Sequence, residues 1–137
     1  MTPNQIKLVQ SSWASVYQNS ELAAKEFYQT LFEIAPDVKP MFKNDMDEQG
    51  RKLMQVLNTA VLSLDNLPAL IPVVEELGQR HVGYGVTTQH YDAVGRALVS
   101  TLSAALGDKF TKDVQEAWLL TYSAISNVMK EAAAATA

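Results

Sequence analysis

The segment from Asn66 to Tyr91, NLPALIPVVEELGQRHVGYGVTTQHY, places the tightest constraint on how this chain can fold. Its apolar residues recur at spacings of three and four, which is the period of one face of an α-helix. The next turn of that face reaches His81, and Gly83 and Gly85 then mark the end of the helix. The pattern therefore predicts a helix whose buried face carries a histidine in its last turn. The apolar residues of this face are Leu67, Leu70, Ile71, Val74 and Leu77.

The same helical period recurs through the rest of the chain, and polar capping residues precede the apolar stripes. Thr2 can cap the first helix, and Gln5 can complete a capping box with it. The second helix is expected to end at Ala35, because the residue before a proline disfavours helical angles. No segment shows the sustained alternation typical of a strand. We therefore predict an all-α fold with about six long helices and one or two short ones. The other predicted helix starts are Ser20, Asp45 with Glu48, Thr88 and Thr111.

Composition and charge narrow the classes of function. The 137 residues are expected to form one domain, residues 1–137, and the apolar fraction of 47% is ordinary for a globular protein. A formal charge of −4 without a lysine or arginine run makes nucleic acid and anionic membranes poor partners. The absence of cysteine excludes disulfide and thiolate chemistry. Since the sequence has neither a signal-peptide pattern nor an apolar run of transmembrane length, we expect a soluble cytoplasmic protein.

The histidine at position 81 has two interpretations. A lone histidine on an apolar helix face is most often a core residue that hydrogen-bonds to a neighbour. Alternatively, its imidazole is a metal ligand, because a histidine with the usual pKa of about 6.5 is mostly neutral at neutral pH. No Cys, His or carboxylate stands beside it at zinc-site spacing, so a metal site here needs a cofactor to supply the other ligands. Haem does so, since its four pyrrole nitrogens leave an axial position for a histidine.

Two more polar residues fall on predicted inward faces, Tyr28 of the second helix and Gln49 of the third. Taken singly, Tyr28 is a common kind of buried tyrosine, and Gln49 could lie at the wetter end of its helix. Phe42, in the loop between them, would more often cover the core than contact a cofactor. Together with His81, however, these polar groups would need partners inside the protein. A haem between the Gln49 and His81 helices would supply them, with a diatomic ligand on the Tyr28 side.

Six sequence motifs, in order along the chain, resemble the globin family. The resemblance is greatest to the bacterial single-domain haemoglobins, to the globin part of flavohaemoglobins and to the neuroglobin-like bacterial globins. It covers nearly the whole chain and implies the globin fold, a 3-over-3 helical sandwich, with haem b as the cofactor. The motifs are EFYQTLF around Tyr28, PDVKPMF ending at Phe42, QGRKLMQVL from Gln49, DNLPALIP, RHVGYGV around His81, and HYDAVGRAL.

The resemblance implies a role for each matching residue in the pocket. His81 would be the proximal iron ligand. Tyr28 and Gln49 would be the distal pair that hydrogen-bonds to bound oxygen. Phe42 and Leu53 would be apolar haem contacts, and no residue is assigned a catalytic role.

Three further positions concern the edge of the pocket and its proximal side. The resemblance implies that Lys52 or Arg51 pairs with a haem propionate, although a solvated helix face explains these residues equally well. Tyr91 matches a tyrosine that joins a hydrogen-bond network to the proximal histidine in flavohaemoglobin-like globins. That network normally ends in a glutamate, but the matching position is Ala133, and Glu131 is two residues out of phase. A strongly electron-donating proximal side is therefore not expected.

The resemblance supports two main functions. The first is reversible binding of oxygen for storage, delivery or scavenging, with carbon monoxide and nitric oxide as further ligands, by a monomer or weak homodimer. The alternative is nitric oxide dioxygenase activity with an external reductase, because no flavin or nicotinamide domain follows in the sequence. A sensor would need an output domain, and an electron carrier would need two strong protein ligands. A cofactor-free helical bundle would leave the three buried polar residues without partners.

Overall fold

The protein is built from α-helices joined by short turns, as a computed structural model describes it for residues 1–42, 45–83 and 85–136. No strand occurs in these ranges, which confirms the predicted all-α class. Two short 3₁₀ helices, Pro36–Met41 and Gly107–Lys109, match the one or two short helices expected. None of the helices in the described ranges has the length and apolar character needed to span a bilayer. The α-helices are α1 (Pro3–Tyr17), α2 (Ser20–Ile34), α3 (Met46–Leu62), α4 (Leu67–Gly83), α5 (Thr88–Leu106) and α6 (Lys112–Thr136).

Local capping fixes most helix starts where the sequence predicts them. The Thr2 hydroxyl accepts a hydrogen bond from the Gln5 amide at 3.1 Å, and the Gln5 side chain accepts one from the Thr2 amide at 2.9 Å. At the start of α3, the Asp45 carboxylate accepts a hydrogen bond from the Asp47 amide at 3.2 Å. The second helix ends before Pro36, as expected. These contacts lie within one helical turn, so the sequence alone is enough to place them.

Two predicted caps are wrong by one residue. The cap of α2 is Asn19 rather than Ser20, because the Asn19 carbonyl already accepts the first helical hydrogen bond, from Ala23 at 3.0 Å. The cap of α5 is Thr87 rather than Thr88. There the amide of Thr87 donates to Nδ1 of His90 at 3.0 Å, so a histidine takes the place that Glu or Gln occupies in most capping boxes.

Two clusters of buried side chains form the interior. The larger one, called here the main core, is centred on Trp13 and Trp118, each 2% exposed, with ring centroids 6.0 Å apart. Trp118 donates its indole N–H to the Ser12 hydroxyl at 2.9 Å, and Trp13 donates to the Asn58 side chain at 3.0 Å. The smaller cluster, called here the α4–α6 core, contains Ala60, Leu70, Val74, Tyr91 and Met129.

The helices α3 and α4 follow each other in the chain but pack chiefly against different neighbours, although Ala60 of α3 belongs to the α4–α6 core. The helix α4 packs mainly against α6, whereas α3 packs against α2 and α1. Direct contact between α3 and α4 is slight. We call the space between them the cleft; the main core lies on its α3 side, and most of the α4–α6 core lies on its α4 side.

The predicted buried stripe of α4 is too wide. Leu70 and Val74 are 4% and 3% exposed and Leu77 is half-buried, but Leu67 and Ile71 are 47% and 43% exposed. The prediction is therefore wrong for Leu67 and Ile71. Because α4 packs chiefly on one neighbouring helix, it buries a narrower stripe than the full apolar face of its sequence.

The closest approach of α4 to α6 is at Gly78. A β-carbon at this position would lie 2.5 Å from the backbone oxygen of Met129, a distance that atoms of a folded protein do not adopt. Only glycine lets the two backbones come this near. Gly78 is in the turn of α4 before His81, so this contact also fixes where His81 lies.

We expect Gly78→Ala to lower the free energy of unfolding by about 1–3 kcal/mol, because the added methyl group forces α4 away from α6. The measurement is chemical denaturation followed by circular dichroism. The control is Gln79→Ala at the exposed neighbouring position, which should change stability by less than about 0.5 kcal/mol. If Gly78→Ala were as stable as the control, the close packing of these helices would be wrong.

Candidate functional site

His81 is held in one tautomer by the backbone of its own helix. Its Nδ1 lies 2.6 Å from the carbonyl oxygen of Leu77. Because a carbonyl can only accept, Nδ1 carries the proton and Nε2 carries the lone pair of the neutral ring. Burial lowers the pKa of His81 below its usual value, and the hydrogen bond to Leu77 opposes this shift only in part. The ring is therefore neutral at pH 7 and has the electronic form required of a metal ligand.

Tyr91 supports the ring of His81. The two rings stack with centroids 6.3 Å apart and an interplanar angle of 29°. The hydroxyl of Tyr91 is buried and has no hydrogen-bond partner among the described residues, while its backbone carbonyl accepts a hydrogen bond from Tyr122. The ammonium group of Lys130 lies 5.8 Å from the centre of the Tyr91 ring. The side of the cleft that bears His81 thus carries a cation and an unpaired phenol.

A second candidate wall of the site is aromatic and centred on Tyr28 of α2. This side chain is 8% exposed and meets Phe42 edge to face, with ring centroids 5.2 Å apart. Phe27 and Phe32 surround it at 5.3 and 5.9 Å. Burial raises the pKa of Tyr28 to about 12, so its hydroxyl is protonated at neutral pH and available as a donor. No partner within the described ranges accepts a hydrogen bond from it.

The helix α3 brings Gln49 and Leu53 to this wall. The helices α2 and α3 cross closely at Ala24 and Gly50, where a β-carbon on Gly50 would lie 3.0 Å from that of Ala24. Tyr28 is one turn along α2 from this crossing, and Gln49 is next to Gly50 on α3, half-buried. Leu53 is half-buried against the main core. No hydrogen bond links Tyr28 to Gln49 in the described part of the chain.

The two candidate propionate partners lie on different sides of α3. Lys52 is exposed and forms a salt bridge with Glu48 at 3.5 Å. Arg51 lines a cavity of about 290 Å³ between α2 and α3, which also reaches Tyr28. Since residues two apart on a helix point in different directions, Arg51 and Gln49 do not share a face. Of the two, Lys52 is the better placed for a group bound between α3 and α4.

Sequence reasoning missed the contact between Asp37 and His90. Their side chains meet at 2.8 Å although they are 53 residues apart in the chain. One local signal was available, since Thr87 and His90 stand three residues apart, as in a capping box. Nothing in the sequence indicates that the other ring nitrogen of this histidine reaches Asp37.

A metal held by protein side chains alone would need several ligands at one point. Among the described residues, no three His, Cys, Asp or Glu side chains gather closely enough to form such a site. The candidate residues supply one neutral imidazole on α4, a phenol on α2 and an amide on α3. This donor set suits a flat group that brings its own metal ligands, which His81 completes from one side.

Comparisons with known proteins show which family the chain resembles. A family model described as Globin matches residues 25–129. A neuroglobin from Dissostichus mawsoni is 30% identical over 139 residues, covering 91% of this chain and 87% of that protein. A flavohemoprotein from Vibrio cholerae is 28% identical over 131 residues, and the match covers 93% of this chain but 33% of that protein.

The fold also matches solved structures. A hexacoordinated heme protein from an anhydrobiotic tardigrade superposes with a TM-score of 0.86, covering 98% of this chain and 96% of that one at 22% identity. The predicted globin fold is thereby confirmed. The chain spans about a third of the length of the flavohemoprotein that it matches, and most of the length of the neuroglobin.

The buried phenol of Tyr28 makes stability depend on alkaline pH. In the unfolded chain a tyrosine ionises near pH 10.0, and in the folded protein Tyr28 ionises near pH 12. Its contribution is thus complete below pH 10 and is lost as the pH rises towards 12, by about 3 kcal/mol in all. We expect Tyr28→Phe to flatten this decline, measured as the free energy of unfolding between pH 9 and 12. Tyr17→Phe, at an exposed tyrosine, should leave it as steep as in the wild type, and an equal effect of both would contradict the assignment.

Proposed function

The chain belongs to the globin family, and we propose that it binds haem b in the cleft between α3 and α4 and holds oxygen there reversibly. The observation that carries this proposal is the tautomer of His81. The protonated Nδ1 donates a hydrogen bond to the carbonyl of Leu77, so in the neutral ring Nε2 carries the lone pair that an iron ligand needs. In this proposal the residues on the α4 side of the cleft hold the iron, and those on the other side contact the gas.

The haem would supply an iron with four nitrogen ligands and one position for a diatomic gas. His81 completes the iron from the α4 side, and its hydrogen bond to Leu77 fixes the orientation of the ring. Tyr91 stacks on the imidazole and limits its rotation. Phe42 and Leu53 cover the opposite side and keep water from the gas-binding position.

Tyr28 and Gln49 act on the gas itself. Because burial keeps the Tyr28 hydroxyl protonated, it can donate a hydrogen bond, and the amide of Gln49 is a second donor. Oxygen draws more negative charge than carbon monoxide when it binds iron, so these donors favour oxygen. A hydrogen bond to a charged group contributes about 1.5–3 kcal/mol, or about ten- to a hundredfold in affinity. The pair therefore supports tight binding and slow release, as required for storage or scavenging.

The rim of the cleft carries one candidate contact to the cofactor. Lys52 can pair with a haem propionate, in exchange for its present exposed salt bridge with Glu48. Exposed pairs of this kind contribute little to stability, so the exchange costs little. Arg51, which lines the cavity on the α2 side of the helix, is not assigned this role.

Nitric oxide dioxygenase activity with a separate reductase is the second candidate, supported by the likeness to the flavohemoprotein. The side of the cleft that bears His81 favours oxygen binding instead. Position 133 is an alanine, Glu131 is exposed, and Lys130 brings a positive charge to Tyr91 where a carboxylate would donate electron density. Sustained consumption of nitric oxide with an added flavin reductase would favour the enzyme. A single stoichiometric turnover would favour the oxygen binder.

The proposal is tested by the absorption spectrum of the purified protein in its ferric and reduced forms, and with oxygen and carbon monoxide. We expect a Soret band that shifts with each gas. In His81→Ala the band should be lost and should return when imidazole is added, because the free ligand replaces the missing side chain. A protein that shows no haem band even after reconstitution with hemin would rule the proposal out.

The role of Tyr28 is tested by the rate of oxygen release. We expect Tyr28→Phe to release oxygen about tenfold faster, since one hydrogen bond is lost while the aromatic packing is kept. Stopped-flow measurement gives this rate directly, and Tyr17→Phe serves as the matched control. An unchanged rate in Tyr28→Phe would remove Tyr28 from the mechanism.

A further inference from the structure

The contact between Asp37 and His90 differs from the other salt bridges of the protein. In the described part of the chain, the two others, Lys52–Glu48 and Arg80–Glu76, connect successive turns of one helix. The pair Asp37–His90 instead joins two separate elements, the Pro36–Met41 3₁₀ helix and α5, at 2.8 Å.

Both ring nitrogens of His90 are committed, and each has a different role. The amide of Thr87 donates to Nδ1 at 3.0 Å, so Nδ1 bears no proton. The proton of the neutral ring is therefore on Nε2, which donates to the carboxylate of Asp37. This hydrogen bond holds the pKa of Asp37 below its usual value. A single tautomer of His90 thus accepts a hydrogen bond in the capping box of α5 and donates one to the 3₁₀ helix.

The two ends of this bridge adjoin the two candidate walls of the haem site. Asp37 belongs to the 3₁₀ helix that leads directly into Phe42, whose ring meets Tyr28. His90 is the immediate neighbour of Tyr91, whose ring stacks on His81. Since α3 and α4 touch only slightly, the spacing of these walls depends on contacts at the ends of the cleft.

We propose that His90 is a positioning residue that, through Asp37, sets the separation of the Phe42 wall from the Tyr91 wall and so governs how firmly haem is retained. This inference rests on the proposed haem site and adds a residue that acts on it through others. His90 is buried, 9% exposed, whereas the side chain of Asp37 is mostly exposed. A hydrogen bond from the neutral ring of His90 to an exposed carboxylate adds little to global stability. Loss of this bridge should therefore change the rate of hemin loss more than it changes the midpoint of unfolding.

The experiment measures transfer of hemin from the ferric protein to an excess of apomyoglobin. We expect Asp37→Ala and His90→Glu each to lose hemin several-fold faster than the wild type. Glutamate at position 90 can still accept from the Thr87 amide as in an ordinary capping box but has no proton to donate to Asp37, so this variant removes the bridge and keeps the cap. The double variant should lose hemin no faster than the faster single variant, because both changes break the same contact.

Two further variants separate positioning from general stability. Asp37→Asn keeps an oxygen that can accept from Nε2 of His90, so it should restore retention close to that of the wild type. Ser12→Ala removes the hydrogen bond from Trp118 in the main core, far along the chain from the bridge. It should lower the unfolding midpoint without changing the rate of hemin loss.

The outcomes distinguish this inference from the proposed function. A wild-type protein that takes up no hemin would overturn the haem site and the inference with it. A wild type that holds hemin, with an Asp37→Ala variant that holds it equally well, would overturn the inference alone. Additive losses in the double variant, or no rescue by Asp37→Asn, would also overturn it, since the two residues would then act separately.

Discussion

The packing of α4 on α6 at Gly78 is the contact on which the site depends. Because no β-carbon stands between Gly78 and the backbone of Met129, α4 is drawn towards α6 instead of closing onto α3. The apolar residues of α4 that face α6 are buried there, while α3 packs against α1 and α2. A cleft remains between two helices that are neighbours in the chain. If α4 packed equally against α3 and α6, side chains would fill this space and leave no room for a cofactor.

Burial has opposite effects on the two titratable groups that face this cleft, and both effects suit a neutral ligand pocket. It lowers the pKa of His81 and so keeps the imidazole unprotonated at Nε2. It raises the pKa of Tyr28 and so keeps the phenol protonated as a donor. One physical cause, the cost of placing a charge in an apolar interior, therefore favours a neutral imidazole at His81 and a protonated phenol at Tyr28, the forms that the proposed site requires.

The surroundings of Tyr91 separate the two candidate functions. A carboxylate near the proximal histidine would increase electron density at the iron, whereas Lys130 brings a positive charge to the ring that stacks on His81. This arrangement is the reason that we propose oxygen binding ahead of oxygen activation. The buried, unpaired hydroxyl of Tyr91 and the bridge from His90 to Asp37 lie on either side of the same turn of α5. The first turn of α5 thus carries both Tyr91, which stacks on His81, and His90, which is hydrogen-bonded to Asp37.

The sequence by itself determined what depends on near neighbours in the chain. The helical period, the Thr2 and Asp45 caps and the stop at Pro36 are interactions within a turn, so they placed the helices and put His81 in the last turn of α4. Errors of one residue at Ser20 and Thr88 arose where two adjacent residues could both cap. Tertiary structure alone decided which side of each helix was buried. It left Leu67 and Ile71 exposed and joined Asp37 to His90. The physical reason is that these outcomes depend on which helices pack together, and no local pattern encodes that choice.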